Sequence, residues 1–199
     1  MPNLYPAFER QEVVVHSPRH VRTFAELDDE EIAGVAQAWA ARFDAARSAG
    51  FPYVHALINE GAAAGSSLAH SHSQLVWLRE PPPEAERERG APPPAEPALL
   101  VAERNGMAAA VHPAGRLPYE TLITGAPFDL AVALHLLRDT VTRLRTVEGA
   151  VPWNAWLHGD HVELVPRLSI LAGVELGAGI YVNTVAPEDA AAALRGAAS

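Results

Sequence analysis

Apolar residues recur at helical spacing in two long stretches of the chain. In the first stretch Asp28 is a good N-cap, and Glu31 stands three residues later to complete a capping box. The apolar residues that follow at intervals of three and four are Ile32, Val35, Trp39 and Phe43. This period predicts an amphipathic helix that ends near Gly50 and packs on a sheet. A second stripe predicts a second long helix: Leu130, Leu134, Leu137, Val141 and Leu144.

Short apolar runs bounded by turn residues predict strands elsewhere. In the first part of the chain we expect strands at residues 13–15, 53–59 and 68–78. In the second part we expect them at residues 98–104, 107–112 and 120–124 and around Trp156, Val162 and Tyr181, with a closing helix from Pro187. Such strands with two long helices predict the α+β class, an antiparallel sheet with packed helices.

A proline-rich stretch separates the two parts. Pro81, Pro82 and Pro83 precede an acidic run, and a second proline run occupies residues 92–94. Because proline cannot join a central sheet and favours extended polyproline geometry, we interpret residues 80–97 as a connector. The predicted organisation is therefore a first half at residues 1–79 and a second half at residues 98–199.

Composition narrows the class of protein. The chain has 199 residues and a formal charge of −9, which disfavours nucleic acid and membranes as partners because both need a basic footprint. Cysteine is absent, which excludes disulfides and thiolate metal ligands. The most apolar long window, residues 168–185, contains Glu175 and Asn183 and is interpreted as core strands rather than a membrane span. The amino terminus carries no basic or apolar signal, so we expect a cytoplasmic protein.

Residues 59–74 carry the most informative pattern in the chain. Gly61 and Gly65 lack Cβ atoms, so a ligand can approach this turn, and the N–H groups of the turn can converge on an anion. Three polar side chains share one face of the strand predicted at residues 68–78: His70, His72 and Gln74. The pattern therefore predicts an imidazole beside a phosphate site.

That pairing has a chemical use. Imidazole is about half neutral near pH 6.5, and its phosphorus adduct is reactive enough to be passed to an acceptor. The pattern therefore indicates a covalent nucleotidyl-histidine. Two other interpretations stay open: a zinc-chelating His-x-His pair, and histidines merely satisfied on a half-buried sheet. The covalent interpretation is favoured because a bare His-x-His pair needs no glycine-rich phosphate turn before it.

At these residues the chain resembles the galactose-1-phosphate uridylyltransferases of the histidine triad superfamily. Further resemblances follow in order along the chain, at residues 3–7, 13–20, 118–122, 163–167, 172–183 and 187–191. The resemblance implies two tandem histidine-triad-like halves, of which only the first has His-x-His-x-Gln. The family's amino-terminal segment, with a cysteine pair and substrate-binding arginines, has no counterpart in this sequence.

The resemblance also implies a nucleotidyltransferase mechanism. His72 attacks the α-phosphorus of a UDP-sugar, hexose 1-phosphate leaves, and a second hexose 1-phosphate takes the nucleotide from His72 in a ping-pong reaction. Gln74 hydrogen-bonds a non-bridging phosphoryl oxygen. The nucleotide- and phosphate-binding residues are Asn59, Gly61, Gly65, Ser66 and Ser67. For the first and last of these, local turn capping is the open alternative.

A metal site is also implied. Glu88 stands sixteen residues after His72, as a metal-binding carboxylate does in the family, and His158, His161 and Glu163 approximate the remaining ligands of a zinc or iron ion. The alternative is that Glu88 is a solvated acid in the connector. His20 and His70 match zinc-binding histidines of the family. Without cysteines they predict a hydrogen-bonded pair rather than a closed zinc site.

Other implied properties concern substrates and assembly. Glu175 and Asn183 fall where the family places hexose-contacting side chains, and the family resemblance implies a homodimer. No organic cofactor is expected. Two further functions stay open. Phosphate or water could discharge the nucleotidyl-histidine, which makes a nucleotide-sugar phosphorylase or hydrolase, or the chain could be a catalytically idle nucleotide-binding protein.

Overall fold

The computed structural model describes residues 1–88 and 95–197. These residues form the strands β1 (Arg10–Val15), β2 (Tyr53–Glu60), β3 (His72–Leu78), β4 (Leu100–Arg104), β5 (Met107–Val111), β6 (Thr121–Gly125), β7 (Trp153–His158) and β8 (His161–Pro166). All eight join one antiparallel sheet in the order β1-β3-β2-β7-β8-β6-β5-β4. The predicted α+β class with an antiparallel sheet is confirmed.

Both predicted long helices are present. The helices of the described residues are α1 (Asp29–Ser48), α2 (Pro83–Arg87), α3 (Leu130–Glu148), α4 (Gly173–Ala178) and α5 (Pro187–Gly196). The start of α1 has the predicted capping box: Glu31 N donates to Asp28 Oδ1 at 2.9 Å, and Asp28 N donates to Glu31 Oε2 at 3.0 Å. Two backbone N–H groups at the helix start are thereby satisfied.

The helices α1 and α3 cover one face of the sheet. Their buried side chains, among them Trp39 and Leu137, share the main core cluster with residues from β2, β3, β7 and β8. Trp39 Nε1 donates to Ser73 Oγ at 2.8 Å, which identifies the side of β3 that faces α1. Because side chains alternate along a strand, His72 and Gln74 lie on the opposite face. We call this the open face of the sheet.

The two sequence halves are joined through the sheet. β2 pairs with β7 in a register that places Asn59 opposite Asn154, and the main core cluster contains residues from both halves. Each half supplies a long helix followed by two consecutive antiparallel strands, α1-β2-β3 and α3-β7-β8. That these units are tandem copies stays a prediction. Because β2 of the first half pairs with β7 of the second half, the sequence boundary at residues 80–97 does not divide the sheet.

The start of β3 differs from the prediction. The strand begins at His72 rather than at residue 68, because the backbone of Ser71 bonds outside the β3 ladder. Ser71 N donates to Val21 O at 2.8 Å, and His16 N donates to Ser71 O at 3.1 Å. His70 therefore lies in the turn before the strand, and its predicted place on one strand face with His72 and Gln74 is wrong.

Two other segments also differ. Residues 168–185, predicted as core strands, contain the short helix α4 and exposed apolar side chains such as Ile170, which is 91% exposed. The predicted connector contains α2, which a proline-rich sequence allows because proline fits the first turn of a helix. Residues 89–94, with the second proline run, lie outside the described residues.

No helix of the described residues has both the length and the apolar character that a membrane crossing requires. The cytoplasmic location stays a prediction.

Candidate active site and metal centre

His72 opens β3 on the open face and is only 5% exposed. Its Nδ1 lies 2.8 Å from the backbone oxygen of His70. A carbonyl oxygen can only accept, so Nδ1 carries the proton and donates. The other ring nitrogen, Nε2, then has the lone pair that a nucleophile needs.

The glycine turn that precedes β3 closes on itself. Ala64 N and Ser66 N both donate to Gly61 O, at 3.0 and 3.2 Å, and Gly65 N donates to Ala62 O at 3.0 Å. Gly61 has φ +87°, and a Cβ on it would lie 2.9 Å from Pro152 Cβ, so the turn packs directly on the residue before β7. The predicted convergence of backbone N–H groups on an anion is therefore wrong for these three donors.

Side chains supply donors at this turn instead. Asn59 lies at the end of β2, and its Oδ1 accepts from Asn154 Nδ2 at 2.8 Å. The Asn59 Nδ2 group faces the turn, where a Cβ on Gly65 would come within 3.9 Å of it. The Ser66 hydroxyl donates to Leu68 O at 3.1 Å and so serves the turn. Ser67 is exposed, with no hydroxyl partner among the described residues.

Gln74 is held from β1. Its Oε1 accepts from Gln11 Nε2 at 2.6 Å, and Gln11 Oε1 accepts from Ala7 N at 2.9 Å. The NH2 group of Gln74 donates to no other described residue, so it is available to a ligand on the open face.

A cleft of about 500 Å³ borders the same turn. Ser66 and Ser67 line it, and Arg22 and Arg145 are its two cationic lining residues. A larger cleft of about 680 Å³ lies between β1 and the start of α1 and is lined by Val15 and His16. We associate the candidate site with the smaller cleft because it adjoins the turn that leads to His72.

His16 lies beside this site, although no motif marks it in the sequence. The ring is 5% exposed, and its Nδ1 lies 2.8 Å from Ser71 Oγ. Burial lowers the pKa of His16 to about 3, and the neighbouring His72 and His70 rings lower it further through charge repulsion. The ring is therefore neutral at physiological pH.

His20 and His70 are neighbours. Their ring centroids lie 5.6 Å apart with the rings edge to face. The predicted hydrogen bond between them is not made, because the Nδ1 of His70 instead lies 3.3 Å from the backbone oxygen of Ser71.

Three of the four predicted metal ligands converge. Glu88, His158 and His161 each place a ligand atom within 4.8 Å of the others, and both histidines are buried. Glu88 Oε2 hydrogen-bonds His158 Nδ1 and lies 3.5 Å from His161 Nε2. One carboxylate and two imidazoles fit zinc or iron. Glu88 is therefore not a purely solvated acid, although it follows a proline-rich helix.

Glu163 does not join that group. Its Oε1 accepts from Arg116 Nη2, and Arg116 also pairs with Glu120 at 3.3 Å. Burial raises the pKa of Glu163 to about 8; the Arg116 charge opposes this rise, while Glu120 and Glu88 add to it. Glu163 thus lies beside the carboxyl group of Glu120 and the guanidinium of Arg116, and outside the group formed by the other three predicted metal ligands.

The two predicted hexose contacts are engaged within the chain. Asn183 Nδ2 donates to Gly115 O and Leu117 O, at 3.1 and 3.2 Å, and its Oδ1 accepts from Val185 N at 3.1 Å. Glu175 Oε2 accepts from Ala172 N at 2.9 Å at the start of α4. Asn183 therefore anchors the α4 segment to residues 115–117, and a hexose-binding role for either residue stays a prediction.

Known proteins resemble this chain in sequence and in fold. An ADP-glucose phosphorylase of Arabidopsis thaliana is 26% identical over 94% of the chain, which spans 64% of that relative's length. A uridylyltransferase structure has a TM-score of 0.89 at 23% identity and covers 99% of this chain and 84% of its own. A structure of ADP-glucose phosphorylase from Arabidopsis thaliana with bound ADP-glucose has a TM-score of 0.84 at 22% identity, covering 98% of this chain and 80% of that one.

The family model named galactose-1-phosphate uridyl transferase, N-terminal domain, matches residues 6–82. This range contains β1, α1, β2, the glycine turn and β3. It therefore includes His72, Gln74 and Gln11, which contacts Gln74. The similarity to this family's N-terminal domain therefore covers residues 6–82, which is less than half of the chain.

Proposed function

We propose that the chain is a nucleotidyltransferase that forms a covalent nucleotidyl-histidine on His72. The hydrogen bond from His72 Nδ1 to the His70 carbonyl oxygen carries this proposal, because in the neutral ring it places the lone pair on Nε2. Gln74 and Asn59 supply NH2 donors on the same open face.

The reaction has two balanced steps. His72 Nε2 attacks the α-phosphorus of a nucleoside diphosphate sugar, the bond from that phosphorus to the bridging oxygen breaks, and hexose 1-phosphate leaves with the electron pair. An acceptor oxygen then attacks the same phosphorus, and the N–P bond breaks to restore His72. The NH2 groups donate to phosphoryl oxygens as charge develops on them.

The leading acceptor is a second hexose 1-phosphate, as in UDP-glucose:hexose-1-phosphate uridylyltransferase chemistry. Glu175 and Asn183 remain the proposed hexose contacts, in a homodimer. The second candidate is phosphorolysis, in which inorganic phosphate takes the nucleotide. The relative named ADP-glucose phosphorylase favours it, since that protein matches 94% of this chain. The intact-mass experiment below also distinguishes two other outcomes, namely hydrolysis of the adduct by water and nucleotide binding without any adduct.

The donor atoms at the candidate metal site suit an ion, and we assign no catalytic step to that ion. Glu88, His158 and His161 would hold zinc or iron through one oxygen and two nitrogen atoms. Such an ion would cross-link α2 to the turn between β7 and β8. The chain's own residues perform every step at phosphorus.

Intact-mass measurement tests the proposal. Protein incubated with UDP-glucose or ADP-glucose should gain one uridylyl or adenylyl group, acid-labile and located on the peptide that contains His72. Gal-1-phosphate, inorganic phosphate or water is then added to see which acceptor removes it. His72→Ala should form no adduct, while His55→Ala, which removes a half-buried imidazole from the open face of β2, controls for the loss of a ring from that face. Adduct formation and normal turnover by His72→Ala would refute the assignment.

A further inference from the structure

Two side chains at the candidate site, Gln74 and Asn59, are carboxamides. A carboxamide can turn either its oxygen or its NH2 group towards a ligand. Only the NH2 group stabilises a phosphoryl oxygen, while the carbonyl oxygen repels it. The orientation of each amide therefore matters as much as its presence, and in this chain a second carboxamide contacts each of them.

The first contact runs from the amino-terminal segment through β1 to β3. Ala7 N is a backbone donor, so the Gln11 atom it contacts at 2.9 Å must be Oε1. Gln11 therefore presents Nε2 to Gln74, and Gln74 must accept through Oε1 at 2.6 Å. The backbone group at the far end cannot exchange roles, so it determines the orientation of both amides. Gln74 is left with NH2 towards the open face.

The second contact runs from the glycine turn through β7 to β2. Ala64 O is a backbone acceptor, so the Asn154 atom at 2.8 Å from it must be Nδ2. The same Nδ2 donates to Asn59 Oδ1 at 2.8 Å, and Arg167 Nη1 approaches Asn154 Oδ1 at 3.4 Å. Asn59 is again left with its NH2 group, which faces the turn at Gly65.

Other donors at this site are limited. The N–H groups of Ala64, Gly65 and Ser66 close the turn internally. Among the arginines elsewhere in the described chain, Arg19 is paired with Glu31, and Arg116 is paired with Glu120 and Glu163. The neutral NH2 groups of Gln74 and Asn59 are thus donors of fixed orientation on the open face. Arg22 and Arg145 line the adjoining cleft, and Arg167 lies 3.4 Å from Asn154 Oδ1.

We propose that Gln11 and Asn154 are positioning residues that commit Gln74 and Asn59 to donate to a phosphoryl group. The inference rests on the proposed function for the identity of the ligand, a nucleoside phosphate. Neither residue touches the reacting atoms. Each acts by occupying the carbonyl oxygen of its neighbour, so that Gln74 and Asn59 both turn an NH2 group towards the candidate site.

Gln11→Glu is the sharpest substitution. A glutamate at this position still accepts from Ala7 N, so a purely structural role would make it milder than Gln11→Ala. A carboxylate cannot donate to Gln74, however, so Gln74 turns its NH2 group towards residue 11 and its oxygen towards the ligand. We therefore expect Gln11→Glu to weaken ligand binding more than Gln11→Ala does.

Calorimetric titration of the full chain with UMP, AMP and inorganic phosphate measures the effect. Loss of a hydrogen bond to a charged group should raise Kd by about tenfold in Gln11→Ala and by more in Gln11→Glu. In a Gln74→Ala background the same two substitutions should change Kd by less than about twofold, because Gln11 acts through Gln74. Gln37→Glu, an exposed position on α1, controls for the added charge.

The pair Asn154→Asp and Asn154→Ala repeats the test, with Asn59→Ala as the background, and keeps it decisive if a β1 variant fails to fold. An equal effect of Gln11→Glu with and without Gln74 would overturn the proposal, because it would reveal direct charge repulsion. So would wild-type protein that binds none of the three probes. Wild-type protein that binds a probe with the expected coupling, yet forms no adduct with UDP-glucose or ADP-glucose, would overturn nucleotidyl transfer and leave the positioning roles intact.

Discussion

The neutral ring of His16 predicts a specific loss of stability in acid. His16 packs its ring edge-on against Phe24 at 5.3 Å, and its Nδ1 contacts Ser71 Oγ. The titratable groups that lower its pKa are His72 and His70, both on the segment that leads into β3. Replacing His16 by asparagine removes the ionisable ring while keeping a polar atom near Ser71.

The magnitude follows from the pKa difference between the two states. The unfolded chain binds a proton at His16 below the ordinary value of 6.5, whereas the folded chain resists protonation down to about 3. The stabilisation is thus fully present above pH 6.5 and is lost as pH falls towards 3. At pH 5 the loss is about 1.5 pH units multiplied by 1.36 kcal/mol, or about 2 kcal/mol.

Urea unfolding at pH 7 and pH 5, without added metal, measures this loss. The free energy of unfolding of the wild type should fall by about 2 kcal/mol more between these pH values than that of His16→Asn. His16→Asn itself is expected to be less stable at pH 7, so the comparison uses the pH-dependent part alone. His20→Asn, at an exposed ring, should keep the wild-type difference. Equal pH dependence in His16→Asn and wild type would refute a buried neutral His16.

Three further outcomes are expected. Elemental analysis should find zinc or iron bound to wild type and to His70→Ala but lost from His161→Ala, because Glu88, His158 and His161 place their ligand atoms together. Loss of the metal from His70→Ala alone would contradict this expectation. Gln74→Ala should fold normally, by circular dichroism, yet slow adduct formation by about a hundredfold in quenched-flow assays. Light scattering should report twice the chain mass of 21.2 kDa, and a fully active monomer would exclude a shared site.

The elements that sequence predicts well here are those whose signals are local. The capping box of α1 needs only Asp28 and Glu31, and the apolar stripe of α3 is complete within one helix. His72 and Gln74 were also predictable, because two residues on one strand share a face whatever lies around them. By contrast, His70 lies outside the strand because the backbone N–H of the next residue, Ser71, donates to the carbonyl oxygen of Val21.

The positioning residues carry no such local signal. Gln11 meets Gln74 across 63 residues, and Asn154 meets Asn59 across 95 residues. The residues next to Gln11 and Asn154 do not indicate that Gln74 and Asn59 are their partners. The register of β1 with β3 and of β2 with β7 determines these pairs. The exposed segment at residues 168–185 fails for a related reason. Its apolar composition suits burial, yet in the described chain Leu168 and Val185 at its ends pack against a core cluster while side chains between them, such as Ile170, lie exposed.

One strand carries residues of both candidate sites. β7 carries Asn154 and His158 on the same face, about 13 Å apart at the usual rise per residue. An ion that bound Glu88, His158 and His161 in the folded chain alone would, at a hundredfold excess over its Kd, add about 2.7 kcal/mol to the free energy of unfolding. Because β7 also carries Asn154, we expect a chelator to lower the free energy of unfolding of the sheet that presents the candidate nucleotide site, measured by urea titration.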